Sequence, residues 1–170
     1  MRPQDVVILL KIIALGEKKW LMKDLSMSLR VSASEVTESL ERSAVGGLIA
    51  ADKVRVMRDN LLEFLVHGLR YVFPVQLGPT MHGVATAHSA APLNSLIMGQ
   101  ETYVWHFIDG PDRGPSIVPL IPTVPLAALA DPKLYQMLAL VETLRVGHLR
   151  EKSLAAQHLE HLLWSTPITA

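Results

Sequence analysis

The chain contains no cysteine, which excludes a disulfide framework, thiolate metal sites and a cysteine nucleophile, and with them zinc fingers and Cys/His enzymes. It also lacks an excess of charge of either sign. Sixteen Lys and Arg stand against sixteen Asp and Glu, so the summed field offers no global attraction for nucleic acid, membrane or an acidic substrate. Any polyanion site must be local. Long apolar runs are missing too: Val6 to Leu15 is short and interrupted by Lys11, well below the roughly 20 residues a membrane-spanning helix requires. No cluster of positive charge precedes that run in Met1-Arg2-Pro3-Gln4-Asp5, so no secretory signal is expected and the predicted location is cytoplasmic.

What the chain has is apolar surface. With 49% hydrophobic and 19% charged residues in a length of 170, it can bury a core without staples, and the surplus points to a dimer interface. Nine of the eleven prolines fall between Pro74 and Pro132. They divide the chain into residues 1–73, a Pro/Gly-rich irregular segment with some strand over 74–130, and a helical region over 131–170.

In the first part, Pro3 suits a first helical turn and Gly16 a helix end. Between them Val6, Leu9, Leu10 and Ile13 form one apolar stripe, and Val7, Ile8, Ile12 and Leu15 a second, so this helix must be covered on two sides. Leu21 to Leu29 reads as a short second helix. Ser32-Ala33-Ser34-Glu35 has the S-x-x-E spacing in which serine caps a helix and glutamate returns the bond, which starts a third helix at Ala33 with Ala33, Val36, Leu40 and Ala44 inward. Gly46-Gly47 stops it. Leu48-Ile49-Ala50, a turn at Ala51-Asp52-Lys53 and Val54-Arg55-Val56 predict a small hairpin, and Asp59 a cap for a fourth helix carrying Leu61, Leu62, Leu65, Val66 and Leu69.

Signals are weaker in the middle. Glu101 to Phe107 alternates like a strand, and Ile117 to Pro125, broken by three prolines, reads as extended. Helical period returns with Asp131-Pro132 as cap and first turn, Leu134, Met137, Leu138, Val141 and Leu144 on one stripe, and a last helix over Leu149 to Trp164 packing Leu154, Leu159, Leu162 and Leu163.

The order of helix, short helix, tight turn, capped helix and hairpin, carried by Leu21-Met22-Lys23-Asp24-Leu25 through Gly47-Leu48-Ile49, resembles the winged helix-turn-helix DNA-binding proteins. Within these it is most similar to MarR-like transcriptional regulators, whose helices outside the motif form a dimer. The likeness covers about Arg2 to Arg58. It departs at Arg30, where the family often has glycine in the turn. The implied fold is mainly α with a small β-wing: an N-terminal winged helix-turn-helix plus a C-terminal helical region. The implied partner is double-stranded DNA, with the capped helix in the major groove. Taking Val36 and Leu40 as inward, Ser34, Glu38, Glu41 and Arg42 face out, with Thr37 at the margin, and these are the expected base readers. Lys18, Lys19, Lys23, Arg30, Ser32, Lys53, Arg55 and Arg58 are the expected phosphate contacts. A homodimer would use Val7, Ile8, Ile12, Leu15, Leu138 and Val141.

This reading makes the protein a dimeric repressor that occupies an operator, with no catalytic residue, metal or cofactor. Glu35, Glu38 and Glu41 keep an alternative open, because an acidic helix repels phosphates: a winged-helix protein-interaction module, antitoxin-like or an adaptor in a small operon, gripping a protein partner through the Pro-rich segment Pro74 to Ala130. The histidine pairs His82/His88 and His158/His161 lack a third ligand and an H-E-x-x-H motif, so they are read as solvated or core-bonded. Ser89 has no nucleophile-elbow sequence around it. Trp105 and Trp164 are assigned to packing in preference to a ligand pocket.

Overall fold

The computed structural model describes residues 1–99 and 101–165; residues 166–170 of the expected C-terminal region lie outside them. The chain is mainly helical with one small three-stranded sheet. Among the described residues no helix is long and apolar enough to cross a membrane.

The local signals near the start hold. Helix α1 spans Pro3–Leu15, with proline in its first turn and Gly16 at φ 65° ending it. Helix α2 is Met22–Leu29 and α3 is Ala33–Val45. The hairpin that follows is reduced to one antiparallel bridge, Ile49 to Val56, flanked by bonds from the Ala50 amide to the Arg55 carbonyl and from the Met57 amide to the Leu48 carbonyl. A single rod then runs through α4 (Arg58–Glu63), one π-helical stretch (Phe64–Gly68) and α5 (Leu69–Val72). Met57, not Asp59, sits at its N-cap, and Asp59 lies in the first turn. Leu61, Leu65 and Leu69 are its buried stripe.

The middle segment is more ordered than its prolines predict. It contains β1 (Thr80–Ala85), β2 (Val104–His106) and β3 (Asp112–Ile117). Strand β1 pairs antiparallel with both others, using Gly83 to Ala85 for β2 and Thr80 to Gly83 for β3, while β2 and β3 pair parallel and close the barrel. The strands approach so closely that a Cβ on Gly83 or Gly114 would collide with the backbone of Trp105 or Thr102, which is why glycine occupies these positions. The sheet is therefore this barrel and not the expected wing. Nor is Ile117 to Pro125 extended throughout: helix α6 starts at Val124, with Pro125 in the first turn where no amide donor is needed.

Helix α7 (Pro132–Val146) begins as its sequence predicts, the Asp131 carboxylate accepting from the Leu134 amide, and α8 spans Leu149–Trp164. One hydrophobic cluster takes residues from the first part, the barrel and the last helices together, so the three stretches of sequence share a core. Helix α1 packs against α2, α3 and α7, and the Thr123 hydroxyl donates to the Leu29 carbonyl at 2.8 Å, fastening the start of α6 to the end of α2.

Two ion pairs, one partly and one almost wholly buried, lie between these layers. The Lys11 ammonium meets the Asp131 carboxylate at 2.7 Å, joining α1 to the cap of α7. The carboxylate of Glu142, 1% exposed, accepts from Arg145 at 2.7 Å and from the Trp105 indole at 3.2 Å. Burial pushes the Glu142 carboxyl up, against the pull of Arg145 and the indole N–H. Arg145 also donates to the carbonyls of Phe73 and Val118, so one side chain holds the end of the α4–α5 rod and the exit of β3 against α7.

Candidate nucleic-acid interface

The first three helices form a platform whose junctions are each fixed by local chemistry. Between α2 and α3, Arg30 takes the left-handed conformation (φ 54°, ψ 42°) usually left to glycine. The turn is held by the Val31 amide on the Ser26 carbonyl at 3.1 Å and by the Ser26 hydroxyl donating to the Val31 carbonyl at 2.6 Å. The predicted capping box is present at α3: the Glu35 amide donates to the Ser32 hydroxyl and the Ser32 amide to the Glu35 carboxylate. Ser32, an expected phosphate contact, is therefore engaged as a cap.

Val36, Ser39, Leu40 and Ser43 form the inward face of α3. Ala33 is exposed and Ala44 half-buried, so the inward line is shifted from the one the sequence predicts. Ser34, Glu38 and Glu41 are exposed and Thr37 is half-buried, its hydroxyl donating to the Ala33 carbonyl at 3.0 Å. Arg42 turns back toward α1. Its guanidinium makes a two-pronged contact with Asp5, Nη2 to Oδ1 at 2.8 Å and Nε to Oδ2 at 3.2 Å, and Nη1 lies 3.5 Å from Glu38. Asp5 is fully buried and accepts the Arg2 amide as well. Burial pushes its carboxyl up, but the Arg42 fork and the Arg2 amide outweigh this and hold it below the ordinary aspartate range. The bond to Asp5 raises the Arg42 guanidinium in turn. Arg42 is thus a brace between α1 and α3, and the expected guanine contact would require it to leave a buried carboxylate.

The hairpin leans on the same helix. The Asp52 carboxylate accepts the Val54 and Arg55 amides, which hold its carboxyl low. Lys53, at φ 58°, reaches Glu41 at 3.3 Å. Each acid on the outer side of α3 consequently has a partner inside the chain: Glu35 the cap, Glu38 Arg42, and Glu41 Lys53. Cations that make no ion pair among the described residues stand on the segments that precede and follow the helix. Lys18, Lys19, Lys23, Arg30 and Arg55 are exposed, and Arg58 is half-buried.

The expected dimer residues are placed elsewhere. Val7 and Ile8 are fully buried, Ile12, Leu138 and Val141 nearly so, and Leu15 is half-buried. Helix α1 is covered by this chain's own α2, α3 and α7, which leaves all of these side chains except half-buried Leu15 no surface to offer a second copy. This corrects the dimer contact read from the two stripes.

Of the histidine and serine candidates, His88 and Ser89 do structural work, while His82 and His161 are exposed and His158 is half-buried. The His88 ring lies edge-on to Tyr103 at 4.6 Å, with Nε2 3.1 Å from the Glu101 carbonyl, and Ser89 accepts the Tyr103 amide at 2.9 Å. His106 Nδ1 lies 3.1 Å from the His82 carbonyl. Trp105 is wholly buried and Trp164 is 43% exposed. Sequence reasoning missed Asp5, whose only signal is a carboxylate at the head of an otherwise apolar helix, and Glu142, a lone acid inside the stripe of α7.

Comparison of the chain with protein-family models found no match, and neither the curated proteins nor the solved structures yielded one.

Proposed function

We propose that this protein is a DNA-binding transcriptional regulator of winged-helix type, acting in the cytoplasm as a dimeric repressor by occupying its operator. The observation that carries the reading is a capped, outward-facing α3 on a three-helix platform, followed by a hairpin, with exposed cations on α2, the α2–α3 turn and the hairpin. In such an arrangement the helix enters the major groove while basic groups from the flanks contact phosphates and fix its register. The internal pairing of Glu38 and Glu41 lessens the repulsion that an acidic helix would otherwise exert. Base contact then falls to Ser34, Thr37 and the carboxylates, which can accept from the cytosine amino group, and Arg42 sets the angle of the helix.

The test is fluorescence anisotropy on duplex DNA with the exposed cations reversed. Lys23→Glu combined with Arg55→Glu should weaken binding to all sequences and reduce the salt slope by about one for each phosphate that is no longer neutralised. Unchanged affinity and slope would remove these groups from the interface.

A second reading, a winged-helix protein-interaction module, is favoured by one feature of the same elements: Leu21, Met27, Val45 and Val54 are exposed at 69%, 68%, 92% and 59%, more apolar surface than phosphate contact uses. A protein partner held by this face would compete with duplex DNA.

A further inference from the structure

The α4–α5 rod and α8 run beside each other, and a groove of about 630 Å³ lies between them. Its floor is apolar, with Leu62, Val66, Leu144 and Ala156 among the lining residues, and its ends carry opposite charge. Arg70 and Lys152 stand at one end, and Asp59, Glu63 and Glu160 at the other. None of these five makes an ion pair among the described residues. Burial, and to a lesser degree the neighbouring Arg70, lower the Lys152 ammonium from its ordinary value against the pull of Glu151. Nearby Glu151 is engaged in capping α8 through the His148 amide. Farther on, past the acidic end, Arg58 stands near Lys133, whose ammonium donates to the Ser165 carbonyl.

The outer face of α8 has a matching symmetry. Leu149, Ser153, Gln157, Glu160 and Trp164 fall within an arc of roughly 100°. Exposed apolar groups stand at its two ends, Leu149 at 87% and Trp164 at 43%, with Ser153, Gln157 and the single charged group Glu160 between. A two-fold axis crossing the helix between Ala156 and Gln157 carries Leu149 of one copy onto Trp164 of the other and Ser153 onto Glu160. The same operation sets Lys152 beside His161 and Glu160 of the second copy. It also lays the positive N-terminal end of that helix over Asp59, Glu63 and Glu160, and its negative C-terminal end over Arg70 and Lys152, as the helix dipole favours.

We infer that the groove is filled by α8 of a second copy of this chain, the two helices packing antiparallel about a two-fold axis in a four-helix layer with both α4–α5 rods. Such an isologous contact sets Lys152 of each copy near Glu160 of the other, faces the remaining groove charges with the favourable end of the helix dipole, and covers both exposed ends of α8. The inference rests on the dimeric part of the proposed function and is independent of how α3 meets DNA.

Charge exchange tests it. Sedimentation equilibrium over a concentration series should show a dimer for the natural protein. Lys152→Glu and Glu160→Lys should each weaken association by about tenfold or more, because each reversal places like charges together at two symmetric points. The combined Lys152→Glu/Glu160→Lys protein should return to near the natural affinity. Circular dichroism should show all four proteins equally folded, since neither side chain makes an ion pair or hydrogen bond among the described residues. A natural protein that stays monomeric, or a dimer that ignores the single reversals, or single defects that the combined exchange leaves unrepaired, would each overturn the inference. DNA binding is read separately: a monomer that still binds duplex in a salt-dependent way overturns the dimer and leaves the DNA reading standing.

Discussion

Helices α3 and α8 are both amphipathic and both exposed along one side, yet they treat their charges in opposite ways. On α3 the outward acids are closed off inside the chain, Glu35 by the cap, Glu38 by Arg42 and Glu41 by Lys53, and Arg42 is itself anchored on buried Asp5. On α8 and the adjoining rod, Lys152, Glu160, Arg70 and Glu63 face one groove without such partners among the described residues. A helix whose charges are satisfied internally is held at a fixed angle, as a surface that must fit a rigid duplex requires. A helix whose charges are left open in a self-complementary order is suited to meeting another copy of itself.

The sharpest way to break this contrast is to release α3. Arg42→Ala leaves the Asp5 carboxylate buried without its cation, and we expect a loss of about 3 kcal/mol, read as a lower urea midpoint with an unchanged m-value. A loss below about 0.5 kcal/mol would show that Arg42 is not a brace. The same pair predicts acid sensitivity. Because the folded state depresses the Asp5 carboxyl, its contribution to stability is present above the ordinary aspartate range of about 4 and is lost as the pH falls through the lower folded value. Asp5→Asn should therefore flatten the acid limb of a stability-against-pH curve below about pH 4, and an identical limb would assign that limb to other carboxylates.

Smaller effects sharpen the contrast. Ser32→Ala removes the cap of α3 and should cost about 1 kcal/mol by chemical denaturation. Smallest in stability is Glu41→Gln, within about 0.5 kcal/mol for an exposed pair. It should nevertheless strengthen binding to random duplex DNA by freeing Lys53 and removing a negative charge, and weaker or unchanged binding would place α3 away from the phosphates.

The helices were legible because their ends are local. Pro3, Gly16, the Ser32/Glu35 box and Asp131-Pro132 each satisfy or dispense with a terminal backbone group nearby in sequence, and the bounds of α1, α3, α7 and α8 follow. Strand β1 was not legible, since Gly83 and Gly78 read as loop residues and only the approach of Trp105, far along the chain, shows why glycine is needed at position 83. Helix α6 was hidden by prolines that suit an extended chain as well as a first helical turn. The apolar period of α1 showed how much surface had to be covered, but not by what, and α7 from the far end of the sequence proved to share the cover with α2 and α3. For the candidate site, the outward set Ser34, Glu38 and Glu41 was legible from helical rotation, while the retreat of Arg42 onto Asp5 depended on the packing of α1 against α3.

The most direct measurement is the binding of the natural protein to duplex DNA from upstream of its own gene, followed across a salt series. If α3 and the exposed cations of its neighbouring segments meet DNA as proposed, the logarithm of the affinity falls linearly with the logarithm of salt, with a slope on the order of several, and that duplex is held more tightly than one of scrambled sequence. Absence of binding at low salt, or binding indifferent to salt, would contradict it.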